Sequence, residues 1–298
     1  MLSDSAELLP DGARERIVAS ALRVALTVLL KPALSPRLPI AAQRWWMHQL
    51  ARLNRPAHGI AIEPAAVGGI KGEWLRAGAP RANRTILYLH GGGFCTGSPA
   101  THRALTSRLA RAAGLPVFAA DYRLAPEHPF PAAVEDAIAV YRALSDAGPV
   151  VLAGDSAGAR LALVTALAAR ERDMRLPADL MLFSPWIDLL NIPQAPTDLT
   201  TRAVWLRACA EHTIAMPRTT LASPLRADLR GLPPTLIQAG ADELLRRDAV
   251  DLHDALERAG VAVRCELVPQ RWHAFQLHAG MLPSADAALA RAAQFIAA

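Results

Sequence analysis

Short, nearly unbroken apolar runs recur along residues 60–298, separated by stretches with helical periodicity. Residues 85–90, 116–122, 150–153, 180–186, 235–240 and 264–269 each read as a strand covered on both faces. Helices are expected between and after them, over 101–113, 131–147, 157–170, 244–259 and 285–298. Strands alternating with helices at this spacing predict an α/β fold with a mostly parallel sheet and right-handed crossovers. Ligands of such sheets bind beyond the carboxyl ends of the strands, so the residues just past each run are the ones that bear on function.

Two stretches stand outside this alternation. Residues 11–30 show helical periodicity, Pro32, Pro36 and Pro39 break it, and 41–53 form a second amphipathic helix carrying Trp45, Trp46, Met47 and Leu50. Residues 188–232 make a long excursion between two strands, with Trp186 at its root and Trp205 and Met216 within it. A connection of that length is uncommon unless it has work to do. Both stretches either pad the domain or cap a pocket, with the Trp and Met side chains as walls. The division expected is an N-terminal helical segment, 1–59, and a catalytic domain, 60–298, to whose cap 188–232 contributes.

Composition narrows the classes. Hydrophobic residues are 52% and charged residues 20% of the chain, the balance of a globular protein. The most apolar early run, 17–30, is interrupted by Arg23 and falls short of the roughly 20 residues that span a bilayer. A soluble cytoplasmic protein with no membrane span is expected. The net charge of +5 comes from dispersed arginines, with Lys31 and Lys71 the only lysines. No basic run interleaved with aromatics occurs, which argues against a nucleic-acid partner. Cys95, Cys209 and Cys265 are far apart and without CxxC spacing, so neither a disulfide framework nor a zinc site is expected.

Candidate chemistry lies at four strand ends. The run 150–153 leads into Gly154-Asp155-Ser156-Ala157-Gly158, a serine at a sharp strand-to-helix turn, which would lift its hydroxyl above the sheet. The amide of Ala157 then points at any oxygen that becomes negative there. After 85–90 comes His90-Gly91-Gly92-Gly93, which suits an oxyanion better than a phosphate because no Lys-Ser/Thr follows. Asp242 is the first acid past 235–240 and is favoured over Glu243 to face the sheet's top edge, while His273 lies on the loop past 264–269. Ser156, Asp242 and His273 thus stand in the chain order nucleophile, acid, base, the arrangement of α/β-hydrolases.

The motifs His90–Gly93, residues 121–132 (Asp-Tyr-Arg-Leu-Ala-Pro-Glu-His-Pro-Phe-Pro-Ala) and Gly154–Gly158 together resemble those of the hormone-sensitive-lipase-like carboxylesterases. The resemblance spans roughly 60–298 and implies an α/β-hydrolase fold, with helices on both sheet faces and a helical cap. It also implies a triad of Ser156, Asp242 and His273, and an oxyanion hole made by the amides of Gly91, Gly92 and Ala157. Hydrolysis of short to medium acyl esters through an acyl-enzyme is expected, without metal or organic cofactor. The substrate is a small-molecule ester, with Trp45, Trp46 and Trp205 as its contacts. Lactonase, deacetylase or amidase activity on the same triad is the alternative; a non-catalytic receptor is disfavoured because His273 is present. The resemblance makes residues 264–298 the candidate surface of a homodimer. The 121–132 run is expected to brace the site through Tyr122, Arg123 and Glu127. Ala159, Arg160 and Ala274 depart from the residues common in the family, and Asp155, Ala159 and Arg160 have no role legible in the sequence.

Overall fold

In the strand Thr85–Leu89, Leu87 and Leu89 turn to one side of the sheet and Ile86 and Tyr88 to the other, and all four are fully buried. A strand that is apolar at consecutive positions demands cover on both faces, and helices supply it. The architecture is that of a computed structural model, which describes residues 2–3, 8–10, 12–189, 191–193, 197–213 and 224–297. Met216 lies outside the described residues.

The chain opens with β1 (Leu2–Ser3), α1 (Ala13–Ala25) and α2 (Ile40–Ala51), followed by β2 (Ala61–Val67) and β3 (Ile70–Arg76). The alternation then runs β4 (Thr85–Leu89), α3 (Pro99–Ala113), β5 (Val117–Ala120), α4 (Ala132–Ala147), β6 (Val150–Asp155) and α5 (Ala157–Glu171). It continues with β7 (Asp179–Phe183), α6 (Ala203–Thr213), β8 (Thr235–Gly240), α7 (Arg246–Arg258), β9 (Val263–Val268) and α8 (Pro283–Phe295).

The strands stand in the order β1-β9-β8-β7-β6-β4-β5-β3-β2. All pairs from β1 through β5 are parallel, and β3 and β2 add on antiparallel. One face is covered by α4, α5 and α7, with Val140, Leu161 and Leu252 in the shared core. The other is covered by α3 and α8, through Leu105, Leu109, Leu289 and Ala292, and Ala19 of α1 joins that core. The carboxyl ends of β4, β6, β7, β8 and β9 therefore open on one rim, where the Gly91–Gly93 loop, Ser156, Asp242 and His273 follow them.

The parallel core follows the sequence expectation closely. The two-residue β1 does not, because its pairing along the outer edge of β9 depends on a neighbour and not on any local pattern. The expected first helix also ends earlier than its periodicity, since Leu26–Leu30 widens into a π-helical turn.

Candidate active site

The turn between β6 and α5 holds Ser156 at φ 54, ψ −120, a backbone conformation that a residue with a side chain keeps only when its surroundings enforce it. Those surroundings are the two flanking glycines. A Cβ on Gly158 would collide with the carbonyl oxygen of Leu89, and one on Gly154 would stand 2.5 Å from the Gly158 carbonyl carbon. The Ser156 amide donates to Phe183 O at 2.8 Å, and its own carbonyl accepts from Trp186 N at 3.1 Å, so the end of β7 and the chain leaving it hold the elbow. Ser156 is 6% exposed.

His273 comes to this serine from the loop after β9. Its Nε2 lies 3.0 Å from Ser156 Oγ, and its Nδ1 faces Glu243 Oε1 at 3.5 Å. Glu243 is itself held, because Oε2 accepts from Ser184 Oγ at 2.6 Å and from the Gly240 amide at 2.9 Å. Ser184 Oγ also accepts from the Ala274 amide at 2.9 Å, so one hydroxyl fixes the acid turn and the histidine loop together. Burial pushes the His273 imidazole toward a lower pKa. The hydrogen bond and charge of Glu243, with the charges of Asp198 and Asp155, outweigh it and leave the pKa above its ordinary 6.5.

This geometry corrects the expectation for the acid. Asp242 points outward, its side chain 54% exposed and 3.5 Å from the Arg23 guanidinium. The physical reason is the turn after β8: the Glu243 amide approaches Gly240 O at 3.4 Å, folding residue 243 back over the strand end while residue 242 is carried to the rim. Being first past the strand is therefore not the same as facing the site. His278 is half-buried, with its imidazole pushed down to about 4 by desolvation, and its ring lies 5.7 Å from that of Trp272.

The glycine loop requires a second correction. The Gly91 amide donates to Asp155 Oδ1 at 2.9 Å, so it is engaged and unavailable to an oxyanion. Among the described residues, the amides of Gly92, Gly93 and Ala157 donate to no acceptor. Gly92 O accepts from the amides of Cys95 and Thr96, which curls the loop and leaves its own N–H groups inside the curl. Tyr122 OH donates to His90 O at 2.5 Å, and Arg44 of α2 donates to Cys95 O at 2.8 Å, to Ala125 O at 2.9 Å and to both Glu127 oxygens. Arg123 pairs with Asp136 at 2.7 Å. The 121–132 run thus braces the glycine loop through Tyr122 and Glu127.

Asp155, whose role is not legible in the sequence, is the hub behind Ser156. Besides the Gly91 amide it accepts from Tyr88 OH at 2.8 Å and lies 3.3 Å from His102 Nε2. Arg160, one turn beyond Ser156, is buried; its Nε donates to Ile187 O at 3.2 Å, and its guanidinium lies 5.8 Å from the Phe94 ring. Burial lowers its pKa to about 10 against the pull of Asp188 and Asp248. Arg160 therefore ties α5 to the chain leaving β7.

The three tryptophans separate. Trp205 is buried on α6, donates to Gln43 Oε1 of α2 at 2.7 Å, and stands with Cys209 within 3.0 Å of where a Cβ on Gly93 would be. Trp46 donates to Leu29 O at 2.7 Å. Trp45 is 60% exposed, contrary to its expected part as a pocket wall, because α2 turns Gln43 and Arg44 toward α6 and the glycine loop and leaves Trp45 on another face.

A serine hydroxyl against an imidazole backed by a carboxylate, with unspent amides alongside, can perform nucleophilic acyl transfer. Known proteins agree with that chemistry. Residues 86–277 match the family described as alpha/beta hydrolase fold. An acetyl-hydrolase of Streptomyces hygroscopicus is 44% identical over 241 residues, 77% of this chain and 80% of the relative. An esterase of Acinetobacter venetianus is 36% identical over 84% of this chain and 86% of its own length. The crystal structure of an esterase from the bacterial hormone-sensitive lipase family superposes with a TM-score of 0.87 at 35% identity, covering 97% of this chain and 98% of that one. With these relatives spanning nearly the whole sheet and its loops, the chain belongs to the α/β-hydrolase family, among the hormone-sensitive-lipase-like carboxylesterases, and is a serine hydrolase of carboxylic esters.

Proposed function

We propose that Ser156, His273 and Glu243 form the catalytic triad, and that the amides of Gly92, Gly93 and Ala157 form the oxyanion hole. The observation that carries this reading is His273 Nε2 at 3.0 Å from Ser156 Oγ with Glu243 behind the other ring nitrogen. His273 takes the Ser156 proton as Oγ attacks the acyl carbon, and the charge that gathers on the carbonyl oxygen is met by the three amides. His273, now an imidazolium stabilised by Glu243, gives the proton to the leaving alcohol. It then takes a proton from water, whose oxygen attacks the acyl carbon, and passes that proton to Ser156 Oγ as the C–O bond to the enzyme breaks and the carboxylic acid leaves. The 3.5 Å separation at Nδ1 is within what unliganded hydrolases show before substrate tightens the chain.

The preferred substrates in this proposal are esters with short acyl chains. Trp205 and Cys209 press on Gly93, so α6 lies directly over the glycine loop and leaves little room there. The link from Trp205 to Gln43, and from Arg44 to the loop, supports α2 and α6 as parts of one cap, with residues 1–59 and 188–232 supplying it to the domain 60–298. The similarity to an acetyl-hydrolase favours, as a second reading, an O-deacetylase acting on an acetylated alcohol. A p-nitrophenyl ester series tests the first reading: kcat/KM should peak between acetate and hexanoate, and a maximum at decanoate or longer would overturn it. Acetylated alcohols, lactones and anilides in the same assay separate the alternatives.

Among the described residues no helix is long and apolar enough to cross a membrane. Three free, buried cysteines fit a reducing compartment such as the cytoplasm. A homodimer through residues 264–298 would use α8, because β1 covers the outer edge of β9; sedimentation velocity reads this directly.

A further inference from the structure

Glu15, in the first turn of α1, is buried together with Arg271, two residues before His273; their side chains are 5% and 3% exposed. The Glu15 carboxylate accepts from Arg271 Nη2 at 2.5 Å and from Ser284 through its amide at 2.9 Å and its hydroxyl at 2.7 Å. Arg271 Nε donates to Ser284 Oγ at 2.9 Å, so α1, the histidine loop and the start of α8 meet in one closed network. Two turns further along α1, Arg23 Nη2 donates to Gln270 O at 2.6 Å. The guanidinium groups of Arg23 and Arg271 lie 5.5 Å and 5.7 Å from the ring of Trp272, the fully buried residue just before His273.

The loop held in this way does not hold itself. Gln270 and Ala274, on either side of His273, have φ of 57 and 53, left-handed values that residues with side chains keep only under external constraint. Ser184 supplies one constraint from inside, at the Ala274 amide. At the Gln270 end, the contacts from outside the loop come from α1, from Ser284 at the start of α8, and from the Asp242 amide, which donates to Arg271 O at 3.0 Å.

We propose that α1 is a positioning element for the catalytic base: Glu15 acting through Arg271, and Arg23 through the Gln270 carbonyl, set the 270–274 loop so that His273 Nε2 stays within reach of Ser156. This rests on the triad reading above. It assigns to the N-terminal segment a part in the proton transfer that covering a pocket would not require. Neither residue touches substrate, so each acts on turnover more than on binding.

The test uses the full chain carrying Glu15→Gln or Arg23→Ala, assayed with p-nitrophenyl acetate well below the melting temperature, with Ser156 labelling by a fluorophosphonate in parallel. Glu15→Gln should lower kcat and the labelling rate on the order of tenfold to a hundredfold, with KM within about twofold. Arg23→Ala, which removes an exposed donor and strands no buried charge, should lower both several-fold, and Arg23→Lys should restore them. A folded Glu15→Gln protein whose melting temperature falls while kcat and labelling stay at the parent values overturns the proposal. If that variant does not fold, unchanged kcat in Arg23→Ala overturns it. Turnover surviving in Ser156→Ala or His273→Ala would instead show that the triad reading itself had failed.

Discussion

Asp155 and His102 form a second carboxylate–imidazole pair, 3.3 Å apart and buried directly behind the nucleophile, with side chains each 3% exposed. Burial alone would raise the Asp155 pKa, but the His102 charge and the hydrogen bonds from His102, Tyr88 and the Gly91 amide outweigh it and leave the carboxyl below its ordinary 3.8. Burial alone would lower the His102 pKa; Asp155 reverses that and leaves it above 6.5. The pair therefore holds the glycine loop as an ion pair, with Asp155 as its anchor on Gly91.

The linkage has a sign. The raised His102 pKa contributes stability that is fully present below about pH 6.5 and is lost as pH rises through the folded value, while the lowered Asp155 pKa contributes stability lost only below about pH 4. Asp155→Asn should therefore cost most between about pH 4 and 6.5, about 3–5 kcal/mol, with the gap to the parent narrowing toward pH 9. Urea unfolding at pH 5 and pH 9 measures this; a gap that widens with pH contradicts it.

In the proposed triad His273 must be neutral to accept the Ser156 proton, and its pKa lies above 6.5 because Glu243, Asp198 and Asp155 outweigh burial. The acid limb of kcat/KM for p-nitrophenyl acetate should accordingly fall with an apparent pKa above 6.5, tenfold per pH unit. Glu243→Gln should move that limb to lower pH. A parent limb centred below pH 6 would show that these carboxylates do not govern the base.

Gly158→Ala places a methyl group on the Leu89 carbonyl oxygen, a backbone atom within the sheet that cannot step aside. The expected loss is more than about 3 kcal/mol, or a fall in Tm on the order of 6–12 °C. Soluble protein with the parent Tm would mean that β4 and α5 are not packed as described.

The parallel sheet was legible because β4, β6, β7 and β8 are apolar at successive positions, a local property of buried strands. The meeting of Ser156 and His273 was legible because each lies just past a strand of the same parallel sheet. Glu243 and Asp242 are adjacent carboxylates, and only the three-dimensional turn from Gly240 decides which faces the imidazole. Gly91 departs from its expected part for a related reason: its amide is taken by Asp155, sixty-four residues on, a contact no local pattern records. Ser184 could have been noticed as the polar residue directly after β7, yet its bridge between Glu243 and Ala274 exists only once three strand ends meet. The part of Arg160 depends on the chain leaving β7, which passes within hydrogen-bond reach of its guanidinium only in the folded structure.

The most direct test compares Glu243→Gln with Asp242→Asn in the hydrolysis of p-nitrophenyl acetate at a pH on the parent plateau, with both proteins shown to be folded. The geometry predicts that Glu243→Gln loses kcat on the order of 10³- to 10⁴-fold, whereas Asp242→Asn, whose carboxylate faces solvent and Arg23, stays within about threefold of the parent. The reverse pattern, an inactive Asp242→Asn beside an active Glu243→Gln, would contradict the assignment of the acid and with it the triad described above.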